Sequence, residues 1–204
     1  LVNGKWETGE KKREIKSPYN GEVAGVINIP AKKRALEAIG DAEEAFRKFS
    51  TSPSHERRRI LRDIADGIEK RKEEFARTLV LEGGKPLKTA RVEAGRGVAT
   101  FSAAADEAGR FGEGGLVPMD LTPGTEGMFG MARRFPLGIV AGISPFNFPL
   151  NLVAHKVAPA TASGNVMILK PASQTPLSAL MLGEVAIEAG LPAGVLNILP
   201  LPGG

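Results

Sequence analysis

From Leu137 to Pro200 the sequence alternates between short apolar runs and helical stretches, and this alternation constrains the fold more than any other feature. Gly138-Ile139-Val140-Ala141-Gly142-Ile143 reads as a buried strand, Leu150 to Ser163 as a helix, and Val166-Met167-Ile168-Leu169 as a second buried strand. Thr175-Pro176 caps a further helix that runs to Ala189 and stops at Gly190, and Val195-Leu196-Asn197-Ile198-Leu199 forms a third strand. Apolar strands separated by helices at this spacing require βαβαβ order and a parallel sheet.

Upstream the chain has a different character. Residues 1–30 are β-rich: Asn3-Gly4 and Asn20-Gly21 are hairpin signals, and Val23 to Ile29 is a strand closed by Pro30. Residues 31–112 are helical. Leu36, Ile39, Ala42, Phe46 and Phe49 recur at helical spacing, and Ser52-Pro53 reads as an N-cap followed by the first helical residue. Ile60, Leu61, Ile64 and Ile68 make the next stripe, and Phe75, Leu79 and Val80 a third. All three stripes are expected to pack in the core. Beyond Gly83-Gly84, Pro86 to Phe111 gives a long alanine-rich helix. Leu116–Leu121 and Met128–Phe135 are expected to form two strands joined around Pro123-Gly124. This arm has little core of its own, so it is expected to pack on a neighbour or pair with another chain.

Composition narrows the chemistry. The 204 residues include no cysteine, which removes disulfides, thiolate metal sites and a cysteine nucleophile from this stretch of chain. The two histidines, His55 and His155, stand far apart, so no metal site is expected. The 27 basic and 23 acidic residues give a net charge of +4. Its basic runs, such as Lys32-Lys33-Arg34 and Arg57-Arg58-Arg59, are followed by acidic residues on the same predicted helices, and one Trp and one Tyr offer little for base stacking. Solvated helix faces are expected, and no nucleic acid. No run approaches the ~18 apolar residues of a membrane span. The opening Leu1 to Trp6 is not a signal peptide, and a cytoplasmic location is expected.

Ligands of a parallel α/β sheet sit beyond the carboxyl ends of its strands, where two loops of this chain lie. In Ser144-Pro145-Phe146-Asn147-Phe148-Pro149, two prolines and two phenylalanines hold Asn147 stiffly. Such a loop presents its one amide either as a preorganised hydrogen-bond donor or as a cap for the following helix. Lys170 follows the second strand, with Ser173 three residues on. The pair suits a ribose or a phosphate, or Lys170 is a solvated strand end. No GxGxxG occurs. Lys156, amid Val153, Ala154, Val157 and Ala158, either snorkels or is functionally placed, and His155 reads as structural.

The stretch from Arg134 to Leu150, continued by Lys156 to Asn165 and by Lys170 to Pro176, resembles the aldehyde dehydrogenase superfamily. Val2-Asn3-Gly4-Lys5-Trp6, Ser17 to Glu22 and Glu82-Gly83-Gly84-Lys85-Pro86 agree, so the resemblance runs over essentially the whole chain. It implies an α/β fold in which an N-terminal β-hairpin and helices lead into a Rossmann-like parallel βαβαβ sheet. The hairpin at 116–135 would be an oligomerisation arm bridging the subunits of a homo-dimer or homo-tetramer. Residues 1–204 would be the N-terminal part of the NAD(P)-binding domain, with the catalytic domain absent. The end at Leu201-Pro202-Gly203-Gly204, mid-motif, favours a piece of an enzyme over a free-standing nucleotide-binding or oligomerising module.

The activity implied is NAD(P)-dependent oxidation of a small-molecule aldehyde to a carboxylic acid, through a cysteine thiohemiacetal and a thioester, with NADP or NAD as cofactor. Without the nucleophile, this chain alone is expected to be inactive. By the same resemblance, Asn147 binds the oxyanion and Lys156 takes part in proton relay. Ser144, Pro145 and Phe146 line the cofactor cleft, Lys170 holds the adenosine ribose, and Ser173 stands where NAD-preferring members have glutamate. The spelling of Gly142 to Pro149 is similar to that of members acting on short-chain or hydroxyaldehydes.

Overall fold

The computed structural model describes residues 1–202; Gly203 and Gly204, the last two residues of the mid-motif ending, lie outside the described residues. Asn3 (φ 47°) and Gly4 (φ 72°) form the tight turn that bridges Val2 to Lys5, the paired positive φ values that an Asn-Gly hairpin turn uses. An antiparallel pair follows, β1 (Lys11–Lys16) and β2 (Val23–Ile29). Four helices come next: α1 (Lys32–Phe49), α2 (Ser54–Lys70), α3 (Lys72–Gly83) and α4 (Leu87–Ala108). Gly84 ends α3 in the left-handed conformation at φ 64°. A short hairpin, β3 (Leu116–Pro118) with β4 (Phe129–Met131), precedes β5 (Ile139–Ile143), α5 (Asn151–Ala162), β6 (Val166–Lys170), α6 (Leu177–Glu188) and β7 (Leu196–Ile198).

β5, β6 and β7 make a parallel sheet in that order, with Ile139 opposite Val166 and Met167 opposite Leu196. Side chains of β6 alternate between two cores, as strand geometry demands. Met167 and Leu169 face the larger one, where Leu61, Phe75, Phe101, Leu150 and Leu182 bring in α2 to α6. Val166 faces α1, packing with Ala42, Phe49 and Val195. At β6 and β7 the sheet is thus covered on both faces, which is why these strands read as unbroken apolar runs, while Ile143 at the end of β5 is exposed. No helix is long and apolar enough to cross a membrane among the described residues.

Three local expectations are corrected. Leu36 and Ile39 on α1 are exposed, because this helix turns its alanines, Ala38 and Ala42, to the sheet and so lies close against it. Ser52 does not cap α2. Its hydroxyl donates backwards to the Phe49 carbonyl at 2.7 Å, and the helix begins at Ser54 after Pro53. Strands β3 and β4 are three residues each instead of six and eight, because beyond Pro118 the chain breaks into turns around Gly124 and Gly127, both at positive φ.

Candidate functional site

The two loops singled out in the sequence lie side by side at the carboxyl ends of β5 and β6. The Ser144 amide donates to the Lys170 carbonyl at 3.1 Å, and the Thr175 hydroxyl reaches the Phe146 carbonyl at 3.5 Å. Thr175 therefore joins the loops and does not cap α6. The Leu177 and Ser178 amides at the start of α6 instead donate to the carboxylate of Glu82 at 2.6 and 3.1 Å.

The same arrangement recurs at α5. The Leu150 and Asn151 amides donate to Glu93 Oε1 at 3.1 and 3.2 Å, and the other Glu93 oxygen pairs with Lys85 Nζ. Lys85 also donates to the Asn147 carbonyl at 2.8 Å and stands 4.4 Å from the centre of the Phe148 ring. A carboxylate at a helix N-terminus is favoured by the unpaired amides and by the helix dipole. Glu82 and Glu93, 2% and 1% exposed, each apply that to the helix after a site loop. Burial pushes the Glu82 carboxyl up to about 7, against the opposing pull of its amide donors.

This decides one alternative about Asn147. Its side chain is exposed and makes no hydrogen bond among the described residues, while Glu93 does the capping. The capping explanation for Asn147 is removed, and its amide is available to a ligand. Asn147 and Phe146 line a cleft of about 520 Å³ with Glu82, Lys85 and Thr175.

The other candidates are distributed around this point. Ser144 is buried, with its hydroxyl lacking any partner among the described residues, while Pro145 is exposed. Lys170 ends β6 half-buried, with no ion pair among the described residues. The Ser173 hydroxyl donates to the Leu201 carbonyl at 3.3 Å, and the Arg13 guanidinium donates to the Ser173 carbonyl. Lys156 is not brought to Asn147. It lines a separate cavity along β5 with Val140 and Gly142. His155, expected to be structural, is exposed on a groove wall, because α5 buries Val153, Ala154, Val157 and Ala158 instead. No group of three or more His, Cys, Asp or Glu that could hold a metal occurs among the described residues.

Sequence reasoning gave no role to Glu82, Glu93, Lys85 or Arg13. The signal for the two glutamates was present: each is a carboxylate at a stripe position, Glu82 following Phe75 and Leu79, Glu93 between Ala90 and Ala94.

Comparison with known proteins bears on this geometry. Residues 6–204 match the model of the aldehyde dehydrogenase family. The chain is 42% identical over 199 residues to 3-sulfolactaldehyde dehydrogenase of Priestia aryabhattai, covering 97% of this chain and 41% of that protein. It superposes with a TM-score of 0.94 at 41% identity on aldehyde dehydrogenase 21 of Physcomitrella patens, solved with the reaction product succinate, covering 99% of this chain and 42% of that one. The NADP-dependent glyceraldehyde-3-phosphate dehydrogenase of Bacillus halodurans, solved with NADP, gives 0.94 at 34% identity, with 100% and 43% covered. The chain thus spans about two-fifths of the length of the relatives it matches.

Proposed function

The chain belongs to the aldehyde dehydrogenase family, and from that premise we propose that it supplies the cofactor cleft and the oxyanion donor of an NAD(P)-dependent enzyme that oxidises an aldehyde to a carboxylic acid. The observation that carries the proposal is the unbonded amide of Asn147 on a loop clamped by Glu93 and Lys85. A donor fixed before reaction stabilises the charge that develops on a carbonyl oxygen without reorganising, and so lowers the barrier. Here Asn147 donates to the aldehyde oxygen as a thiolate adds to the carbonyl carbon. The thiolate comes from outside these residues, which contain no cysteine.

The residues at the strand ends fit a dinucleotide. Among the described residues, Ser144 offers a buried hydroxyl without a partner, and Lys170 a cation without a carboxylate partner. Lys170 and Ser173 bind the adenosine ribose, with Arg13 adding positive charge beside Ser173. A relative solved with NADP supports NADP as the cofactor. A bound nicotinamide would accept hydride from the tetrahedral adduct. Lys156 takes part in proton relay only by way of groups outside the Asn147 cleft. Residues 1–204 form the N-terminal part of the cofactor-binding domain, and residues 116–135 form the arm that meets another subunit or the remainder of this one.

Two preparations test the proposal. The complete subunit is expected to reduce NADP or NAD in the presence of aldehyde, followed by the absorbance of the reduced nicotinamide. A mass-verified 204-residue preparation is expected to show neither dehydrogenase nor esterase turnover. Absence of aldehyde-dependent reduction in the complete subunit contradicts the first statement, and turnover by the 204 residues contradicts the second.

A further inference from the structure

Asn147 stands between two peptide groups whose carbonyls are both held by side chains from outside its loop. On the upstream side the Thr175 hydroxyl reaches the Phe146 carbonyl at 3.5 Å. On the downstream side Lys85 Nζ donates to the carbonyl of Asn147 itself at 2.8 Å, across 62 residues of sequence, and sits 4.4 Å from the centre of the Phe148 ring. The first contact is at the limit of a hydrogen bond, and the second has the length of a strong one. Peptide groups are planar, so holding the carbonyl on each side of the Asn147 Cα fixes the direction in which its side chain leaves the loop. Pro145 and Pro149 stiffen the loop further out but touch neither of these peptide groups.

Lys85 is itself held at both ends. Its backbone lies in the short joint between α3 and α4, where Gly84 turns the chain at φ 64° and Pro86 leads into α4. A Cβ on Gly84 would stand 2.8 Å from the Pro18 ring, so the joint is pressed against the β1–β2 loop. At the other end the ammonium pairs with Glu93, and the two side chains are 15% and 1% exposed. The second Glu93 oxygen accepts the Leu150 and Asn151 amides, which ties Lys85 to the start of α5. Neutralising Glu93 needs only that ion pair. The ammonium has further N–H donors, and one of them is spent on the residue whose side chain is left free for a ligand.

We infer that Lys85 is a positioning residue for the oxyanion donor: by holding the Asn147 carbonyl it fixes the aim of the Asn147 side-chain amide, and it acts through Asn147 instead of on the substrate. A preorganised donor works because it is aimed before the reaction, and a displacement of about 1 Å costs about 100-fold in rate. The oxyanion forms only as the thiolate adds, so a misaimed amide lowers kcat and leaves the binding of the aldehyde and the cofactor nearly unchanged. The inference rests on the reading of Asn147 as the oxyanion donor and adds the residue that aims it.

The test uses the complete subunit with NADP and whichever of propanal, 2-hydroxypropanal and a four-carbon aldehyde ending in a carboxylate it oxidises fastest. Lys85→Met is expected to slow single-turnover hydride transfer by about 10- to 100-fold, with KM for aldehyde and for NADP within about threefold. In an Asn147→Ala subunit the same substitution is expected to cost less than about threefold, because the donor it would misaim is already gone. Lys85→Met leaves the buried Glu93 carboxylate without its cation. The pair Lys85→Met with Glu93→Gln removes both charges, keeps an acceptor for the α5 amides and is expected to show the same loss of rate. An undiminished rate in either variant overturns the inference, as do a loss confined to KM, an equal loss with and without the Asn147 side chain, and failure of both variants to fold. Those results leave the oxyanion reading standing where Asn147→Ala alone is slow. A normal rate in Asn147→Ala overturns both readings, as does oxidation of none of the aldehydes.

Discussion

Two carboxylates occupy stripe positions where helices of this kind normally bury apolar side chains. Glu82 is the one to test by titration, because burial raises its carboxyl to about 7 and the nearby charge of Glu93 acts in the same direction. An acid bound to its proton more tightly in the folded than in the unfolded chain stabilises the fold below its unfolded value. It withdraws that contribution as pH rises through its folded value. Stability is therefore expected to fall between about pH 5 and pH 7.5 on account of this group, and Glu82→Gln is expected to flatten that slope. Urea unfolding at a series of pH values checks it; an unchanged slope assigns the dependence elsewhere. Ser173 carries a second prediction. Its hydroxyl makes no bond to a carboxylate among the described residues, and Arg13 donates to its carbonyl, so a 2′-phosphate meets positive charge. Ser173→Glu in the complete subunit is expected to shift the ratio of kcat/KM towards NAD by about tenfold, or ~1.4 kcal/mol. An unchanged ratio counts against the ribose assignment.

At the scale of elements, the helices after the two site loops are held by residues from α3 and α4, far away in sequence. Glu93→Ala removes the acceptor for two amides and leaves Lys85 unpaired, which is expected to cost about 3–5 kcal/mol of stability. Glu93→Gln keeps an acceptor and is expected to cost less, about 1–3 kcal/mol. Denaturant unfolding of both variants compares them, and equal losses contradict the account. This dependence was not legible from local pattern. A cap supplied from within the chain's next turn has a spacing that can be read, and one supplied across some sixty or ninety residues has none. By contrast β2 runs over Val23–Ile29 as its pattern predicts, because Pro30 and Asn20-Gly21 punctuate it locally. The β3–β4 hairpin pairs only with itself, and Leu116, Phe129 and Met131 are 66%, 66% and 81% exposed. In the complete subunit, Phe129→Asp with Met131→Asp is expected to reduce the oligomer by one step in sedimentation. A species of unchanged mass rejects the arm as a subunit contact.

At the scale of the whole molecule, the parallel sheet brings the proposed oxyanion donor and the proposed ribose-binding loop to one end, with Lys156 in a separate cavity. The β5–α5 loop presents Asn147, and the β6–α6 loop presents Ser173. The order of these parts was legible because apolar runs and helices alternate so regularly from Leu137 onward. What joins them was not, since Lys85 and Arg13 act across the fold through polar contacts that leave no periodic trace, and the stripe position of Glu93 does not tell which helix it caps. The central claim is that Asn147 serves chemistry and not folding. It is tested most directly by Asn147→Ala in the complete subunit, through single-turnover hydride transfer alongside thermal unfolding. The account predicts a rate lower by about 10²–10³, or ~2.7–4 kcal/mol, with Tm unchanged, since the side chain makes no hydrogen bond among the described residues. A normal hydride-transfer rate accompanied by a lower Tm would contradict it.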